Sequence, residues 1–581
     1  MDVLLIAPGE ISLNDTLIEF EKVGTSYVDQ VRNNPVNSLF IKRIQENLGI
    51  GSIAAYLRER KVETRIINAS VEGLSNEEIA DIIMLESPHI VGFSLLYDLH
   101  VFNTLEIIIL IRKRGFTNHI TLGGTFISLA YERFLEAFDF IDTIIIGEGE
   151  EPFFHLYSNL KYNRPLDEIK GLAWVDENKA LRYEKRLKSV EELKFPPAHR
   201  DTLKYLKDNR IKVSTATIYG SRGCNNACVY CAAPAMRINH NKQWRPRNIN
   251  ALVEEIESLK NNYQISYFYF CDDNFCGYGE EGKKHIEQFT QRMFERNLSV
   301  KFHAELRADC HLTEQDILEL KKAGLDEALI GIESGAQSSL DRWRKSVKVE
   351  DNIRMINHLK KYGVKIAPAF IIIDAYTSLE ELRVSTKFIE ENELYKMDDP
   401  WFLFNQMIVY PGTLLEKKLM EDGVVHYPHI EKHNIDSFAS RNELFDFCAH
   451  ISIIKYEITS PVVRVLWMNL VAVVNEIIYY VNTVLPQVIY KYKEKKGNKN
   501  LTAIIGIRKW RGSIGEHCLN LLKYSIEWAE KNETSPEIKV QDLNFMLRKL
   551  RQEYDTLYLG NSINVLKLKT GWELSNEDII N

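Results

Sequence analysis

The sequence predicts an α/β protein in three parts: an N-terminal doubly wound parallel sheet, a partial (β/α)6 barrel and a C-terminal helical domain. Three observations carry this. Short β-branched runs alternate with amphipathic helical stretches over residues 1–160. After a polar, irregular connector at 161–210, stopped by Pro196-Pro197, the alternation resumes over 211–430. From 431 to 581 strand signals thin out and long apolar and aromatic helical runs take over. Repeated β-α units build parallel sheets.

In the first part, strands are expected at Val3–Ala7, Thr64–Asn68, His89–Ser94, His119–Gly124 and Thr143–Gly147. Helices are expected at Ser52–Arg60, Glu77–Leu85, Leu105–Arg114 and Tyr131–Phe138. Ligands of such sheets bind beyond the strands' carboxyl ends. Those ends carry Pro8-Gly9, Ser94-Leu95, Gly123-Gly124-Thr125 and Gly147-Glu148-Gly149-Glu150. One glycine pair is ordinary turn chemistry, but four small-residue ends in one sheet point to a large flat ligand approached closely by backbone. No G-x-G-x-x-G follows the first strand, so the dinucleotide fingerprint is absent. The connection from Glu10 to Gly51 is long for a βα loop and is expected to lie near cofactor or substrate.

The second part opens with the strand-like run Ile211–Tyr219 and the loop Gly223-Cys224-Asn225-Asn226-Ala227-Cys228-Val229-Tyr230-Cys231, a C-x3-C-x2-C spacing. Thiolates select zinc, copper(I) or iron–sulfur clusters. Three of them can hold three irons of a cubane and leave the fourth open. Structural zinc needs a fourth ligand, for which Asn239-His240 is the nearest candidate. Further strands are expected at Ile265–Phe270, Val300–Ala304, Ala328–Ile332, Lys365–Ile373 and Trp401–Tyr410. The intervening helices are Ile249–Leu259, Glu281–Arg296, Thr313–Ala323, Asn352–Tyr362 and Leu379–Glu390. Thr313 with Asp316 forms a capping box, and Gly363 ends its helix. Active groups belong at barrel strand ends, which carry Cys271-Asp272-Asp273, Glu305 with Arg307 and Asp309, Glu333-Ser334, and Tyr410-Pro411-Gly412-Thr413. Cys271, Cys276 and Cys310 fall near the barrel mouth, where a free cysteine is usually a small buried hydrophobe.

The cysteine motif, with aromatic Tyr230 before the last Cys, resembles the signature of the radical S-adenosylmethionine superfamily. The resemblance implies a 4Fe–4S cluster on Cys224, Cys228 and Cys231. Its open iron would chelate S-adenosylmethionine, which reductive cleavage converts to methionine and a 5′-deoxyadenosyl radical. It also implies that Tyr230, Asp272, Asp273, Glu305, Arg307, Glu333 and Ser334 bind that cofactor: acids suit its ammonium and hydroxyls, and a guanidinium suits its carboxylate. Ile373-Asp374-Ala375-Tyr376-Thr377 departs from the Gly-Leu-Pro-Gly-Glu-like turn common there, and offers Asp374 and Tyr376 to a substrate. Gly123-Gly124-Thr125 followed by Gly147–Pro152 resembles the cobalamin-binding domain that precedes many such cores. The D-x-H-x-x-G motif is missing, which implies cobalamin without His on cobalt and with its dimethylbenzimidazole displaced into the sheet. Ser94, Gly123, Gly124, Thr125, Gly147 and Glu148 are the implied contacts, with Tyr97 and His100 as weaker corrin-facing candidates.

The resemblance covers roughly residues 1–430. It implies a cobalamin-dependent enzyme that transfers a methyl group from methylcobalamin to an unactivated carbon of a small-molecule or peptide substrate. Electrons would come from a reductase or a flavodoxin or ferredoxin. Rearrangement, cyclisation or oxidation without methyl transfer is the alternative, and a non-catalytic cobalamin or iron–sulfur sensor is disfavoured by the polar strand ends. A methylthiotransferase would need three further N-terminal cysteines, and no Cys precedes Cys224.

Composition narrows the rest. A formal net charge of −8 argues against general nucleic-acid binding, and Lys491–Lys496 reads as a solvated helix end. No basic leader is apparent, and three of eight cysteines in one motif suggest a reducing cytoplasm. The run Val462–Tyr490 holds Arg464, Asn469, Asn475, Glu476, Asn482 and Pro486. Charges are costly in a span, so it reads as a buried or interfacial helix, and membrane association is not expected. The tail, with Trp467, Trp510, Trp528 and Trp572, is expected to close over the barrel and shape the substrate pocket.

Overall fold

A computed structural model describes residues 1–9, 46–184, 195–236, 243–397, 400–425, 431–452, 454–479 and 498–531. The chain divides into two compact units. The first comprises Met1–Leu306, Cys310–Asp326 and Ile408–Lys455, and the second comprises Arg307–Asp309, Glu327–Met407 and Tyr456–Asn581.

In the first unit, strands β1 (Val3–Ala7), β2 (Thr64–Asn68), β3 (Ile90–Ser94), β4 (His119–Gly123) and β5 (Thr143–Ile145) pair in parallel in the order β2-β1-β3-β4-β5. All five residues of β1 are buried, as a central parallel strand requires. Helices α1 (Leu48–Glu59), α2 (Asn76–Glu86), α3 (Val101–Lys113), α4 (Thr125–Ala137) and α5 (Glu150–Lys161) complete the β-α alternation. Thr125 begins its helix, earlier than the expected Tyr131. The strand order reverses direction beside β1, so β1 and β3 border the crevice where open α/β sheets bind ligands.

The connector at 161–210 is less irregular than expected. Leu172–Val175 (β6) and Leu181–Tyr183 (β7) extend the sheet with antiparallel strands. The Asp176 carboxylate closes their turn by accepting from the amides of Asn178 (2.9 Å) and Ala180 (2.8 Å). Strands this short give little alternation to read. Asp201–Asp208 is a helix, α6.

Beyond it, β8 (Thr215–Ile218) leads to a short antiparallel hairpin, β9 (Ser221–Arg222) with β10 (Arg245–Pro246). Strand β11 (Tyr267–Phe270) lies in parallel between β8 and β12 (Lys301–Arg307).

Residues 431–452 correct the expected single C-terminal domain over the barrel. The helix Arg441–Ser452 buries Leu444, Cys448 and Ile451 in the core of the seven-stranded sheet. The His433 amide donates to the Ala137 carbonyl at 2.7 Å, and the His433 and Phe447 rings lie 4.4 Å apart. Apolar spacing announced a helix here but could not say which face it would cover.

In the second unit, β13 (Leu325–Glu333) and β14 (Lys365–Phe370) are parallel. The sixth strand expected at Trp401–Tyr410 does not form. Pro400–Phe404 is a 3-10 turn, and only two ladder bonds follow, from Ile372 N to Asn405 O (2.9 Å) and from Met407 N to Ile373 O (2.8 Å). Pro400 fixes φ and lacks an amide hydrogen, while Phe402 and Leu403 are buried by the turn. The helix Pro461–Tyr479 buries Val463, Leu466, Trp467, Leu470 and Val474, a one-sided stripe. Among the described residues no helix is long and apolar enough to cross a membrane. Lys491–Lys496 and Trp572 lie outside the described residues.

The docking of Arg441–Ser452 sets a measurable cost. Leu444→Ala is expected to destabilise the first unit by about 2–4 kcal/mol, the usual loss for a buried leucine, read as earlier urea unfolding. A loss below about 1 kcal/mol would show that the helix is not part of this core.

Candidate active site

A cavity of about 390 Å³ opens at the carboxyl ends of the first unit's sheet. Ser94, Gly123, Gly124, Thr125, Gly147 and Glu148 all line it, and so do Cys224 and Asp273. Backbone geometry builds the floor. Gly124 has φ +111°, and a Cβ there would stand 2.5 Å from the Leu95 carbonyl oxygen. The Ser128 hydroxyl donates to the Gly124 carbonyl (2.6 Å) and accepts from the Gly147 amide (3.0 Å), locking two strand-end loops together. Ser94 Oγ accepts from Asn47 Nδ2 at 2.9 Å.

Ser52, on α1, is a wall residue that the sequence reading missed. It is buried, and its hydroxyl has no hydrogen-bond partner among the described residues. A glycine-lined trough with an unsatisfied hydroxyl fits the polar side arm of cobalamin. The only prior signal was the small-residue run Gly49-Ile50-Gly51-Ser52. His100 is buried, and its Nδ1 accepts from the Leu96 (3.2 Å) and Tyr97 (3.3 Å) amides. That bond turns the ring back onto its own loop.

The cysteine loop is held from several sides. Asp272 accepts from the Gly220 amide (2.9 Å) and the Ser221 hydroxyl (2.5 Å), so it clamps the turn entering the loop. The Leu415 amide donates to the Val229 carbonyl at 2.9 Å. Cys228 is buried and Cys224 and Cys231 are half-buried. Burial pushes the Cys231 thiol up to about 12, and the neighbouring Cys228, Asp273 and Cys224 act the same way. Metal binding is what stabilises such thiols as thiolates. Among the described residues no three His, Cys, Asp or Glu side chains gather as ligands of one metal ion. The three thiols of the C-x3-C-x2-C loop form a soft all-sulfur donor set, which fits an iron–sulfur cluster. Asn239-His240 lies outside the described residues.

Beside the loop stand Asp273 and Glu305. Burial pushes Glu305 up to about 7, helped by Asp273 and Asp272, and burial also raises Asp272 to about 7. Asp273 is raised by burial. Crowded acids of this kind suit a cationic ligand. Cys271 is exposed to the cavity, whereas Cys276 and Cys310 are buried.

Two arginines, Arg245 buried and Arg222 half-buried, face the same cavity and were also missed. Arg222 pairs with Glu150 (2.7 Å) and Glu148 (3.7 Å), and Arg245 pairs with Glu148. Glu148 thus lines the cavity while engaged by two guanidiniums.

In the second unit, three strand-end residues are occupied within the chain. Arg307 binds Asp309 through Nε (2.8 Å) and Nη2 (2.7 Å) and also donates to Ser346 (3.1 Å). Glu333 sits at φ +61° and receives the Lys345 ammonium at 2.5 Å. A Cβ on Gly331 would lie 2.5 Å from that ammonium, which explains the glycine. Asn352 Nδ2 donates to the carbonyls of Ile332 (3.1 Å) and Ser334 (3.3 Å). A left-handed non-glycine residue costs about 1–3 kcal/mol and persists only when its surroundings enforce it. Asp374, offered above to a substrate, is corrected. It is buried and accepts from Trp343 Nε1 (2.7 Å), Arg342 Nε (3.0 Å) and Thr377 Oγ1 (2.7 Å).

Comparison with known proteins bears on these features. The B12 binding domain family matches residues 41–156, and the Radical SAM superfamily matches residues 218–388. The chain is a cobalamin-dependent radical S-adenosylmethionine enzyme. It is similar to an uncharacterized methyltransferase of Pyrococcus horikoshii, with 27% identity over 374 residues, 63% of this chain and 77% of that protein. It is also similar to 4′-phospho-dehydrooxetanocin synthase of Priestia megaterium, with 26% identity over 373 residues, 60% of this chain and 48% of the synthase. The fold matches the solved structure of the cobalamin-dependent S-adenosylmethionine radical enzyme OxsB with aqua-cobalamin and S-adenosylmethionine bound. The TM-score is 0.67 at 19% identity, over 96% of this chain and 76% of that one.

Two outcomes follow. Lys345→Met leaves Glu333 buried without its partner and is expected to cost about 3–5 kcal/mol, whereas Lys345→Met with Glu333→Gln recovers most of it. Equal losses in the single and double variants, read from unfolding midpoints, would refute the pairing. Asp272 and Glu305, both raised to about 7, keep protons in the folded cofactor-free chain that the unfolded chain has already lost above about pH 4. Stability should therefore fall as pH rises from about 4.5 to 7 and level off above. Glu305→Gln should flatten part of that slope, and a urea midpoint that climbs through the window would contradict the assignment.

Proposed function

We propose that this enzyme is a C-methyltransferase acting on a small-molecule or peptide substrate. The observation that supports this most is the single cavity lined both by the strand-end glycines of the B12 binding domain and by Cys224 and Asp273 of the radical core. Similarity to a methyltransferase favours methyl transfer, and similarity to a synthase keeps a reaction without methyl transfer as the second reading.

In this reading Cys224, Cys228 and Cys231 hold the 4Fe–4S cluster. Ser94, Gly123, Gly124, Thr125 and Gly147 cradle cobalamin, with Ser52 offering its hydroxyl. Asp273 and Glu305 receive the ammonium and hydroxyls of S-adenosylmethionine, with Tyr230 as a further contact, whereas Glu333 is engaged by Lys345 within its own unit. Asp272 acts on the loop, and the charge of Arg307 is directed through Asp309. When bound, these cofactors supply a 5′-deoxyadenosyl radical and a transferable methyl group, with the electron drawn from a flavodoxin- or ferredoxin-type donor. The chain's own work is to orient the cofactors and keep water away. The apolar floor around Leu5, Ile53 and Phe93 serves the second task.

The test is anaerobic reconstitution with iron, sulfide and cobalamin, followed by reductant, S-adenosylmethionine and candidate substrates. Formation of both 5′-deoxyadenosine and S-adenosylhomocysteine is expected, and Cys228→Ala should abolish both. 5′-Deoxyadenosine with transformed but unmethylated substrate would replace methyl transfer with the second reading.

A further inference from the structure

The hairpin of β9 and β10 places Arg222 directly opposite Arg245. Strand β9 runs through Gly223 straight into Cys224, so this hairpin is the stem of the cysteine loop. Both guanidiniums turn toward the loop between β5 and α5. Arg222 donates to Glu150 at 2.7 Å and approaches Glu148 at 3.7 Å, and Arg245 engages Glu148 through both terminal nitrogens. Arg245 and Glu150 are buried, at 4% and 3% exposed, and Arg222 and Glu148 are half-buried. All four residues line the cavity. The two arms of the stem approach closely at Gly223, where, at φ +82°, a Cβ would lie 2.1 Å from the Gln243 carbonyl oxygen.

For stability alone, well-packed apolar residues would serve as well as buried ion pairs, which often only break even against desolvation. What planar guanidiniums add is fixed direction. We propose that Arg222, Arg245, Glu148 and Glu150 form a positioning lattice that sets the height of the cysteine loop over the cobalamin-binding floor. This rests on the functional reading above of the cavity and the three cysteines. Two reactive centres that act on one substrate tolerate little offset, since a shift of about 1 Å can cost about 100-fold in rate. The acids of the Gly147–Glu150 loop therefore serve the cysteine loop rather than the corrin.

The experiment measures the separation directly. In anaerobically reconstituted protein, the reduced cluster and cob(II)alamin are both paramagnetic, so pulsed EPR gives the distribution of distances between them. The parent protein is expected to show one narrow distance. Arg222→Met and Glu150→Gln should broaden or shift it about twofold in width, with cobalamin content and iron content unchanged. Arg222→Lys, which keeps the charge and loses the fork, should broaden it too, and the charge-swapped pair Arg222→Glu with Glu150→Arg should narrow it again. An unchanged narrow distance in correctly folded Arg222→Met and Arg222→Lys overturns the proposal. So does an about tenfold weaker cobalamin affinity at unchanged distance, which would make the lattice a direct cobalamin contact. A parent protein that holds only one of the two centres overturns the functional reading itself, a result visible before any variant is made.

Discussion

Charge removed from water must be compensated, and the first unit meets that demand unevenly. Beneath the end of β8 the charges are matched. Arg200 donates to Glu46 (2.9 Å), Glu255 (2.8 Å) and the Thr217 carbonyl (2.8 Å), and Arg247 pairs with Glu255 at 2.7 Å. Burial pushes Glu46 up, while Arg200 and Arg247 hold Glu255 below the usual carboxylate range despite its burial. Two cations and two acids balance there, and the strand end is fixed. A few residues away the balance is withheld. Asp273, Glu305 and the Cys231 thiol are all pushed up by burial, with no cation among the described residues beside them to offset it. An imbalance of this kind suits a cationic ligand.

This contrast explains why identical residue types have opposite roles. Asp272 and Asp273 are adjacent in sequence, yet Asp272 turns inward onto Gly220 and Ser221 while Asp273 reaches the cavity. Successive residues leaving a strand point to opposite sides, so one is available as a structural clamp and the other as a ligand-facing group. Glu148 and Glu150 show the converse. Two positions apart, they present carboxylates to the two arginines opposed across the β9–β10 ladder.

Much of this was legible in the sequence, and the reasons differ by feature. The parallel strands of the first sheet were readable because buried strands are continuous apolar runs. The cysteine loop was readable because metal chemistry restricts spacing. The glycines at 124 and 147 were readable because a positive φ leaves few alternatives. What escaped depended on tertiary partners. Ser52 is an ordinary small helix residue until its hydroxyl is found without a partner. Arg222 and Arg245 lie 23 positions apart, and only hairpin pairing sets them opposite one another. The expected sixth strand failed because apolar content is shared by strands and buried turns, and the fate of Arg441–Ser452 was hidden because amphipathicity names a face without naming its cover.

The turn after β14 shows how a departure from a family pattern should be read. Polar residues at a strand end suggested a substrate-facing role for Asp374. The structure spends that carboxylate entirely on its own unit. Arg342 bridges Asp374 and Glu381 (2.8 Å to the latter), Trp343 donates its indole hydrogen, and Thr377 closes the turn. Burial acts to raise Glu381, yet Arg342 and Ser338 hold it down to about 2. Such a network rigidifies backbone that a glycine-rich turn would leave pliable. A buried, fully hydrogen-bonded acid does little for stability relative to an apolar core, so its value here is a fixed conformation. The polar run Asp374–Thr377 is therefore better understood as a replacement for turn geometry than as a set of substrate contacts. The same logic separates Arg307, locked by Asp309, from the acids of the first unit: a charged strand-end residue is informative about a ligand only after its intramolecular partners have been counted.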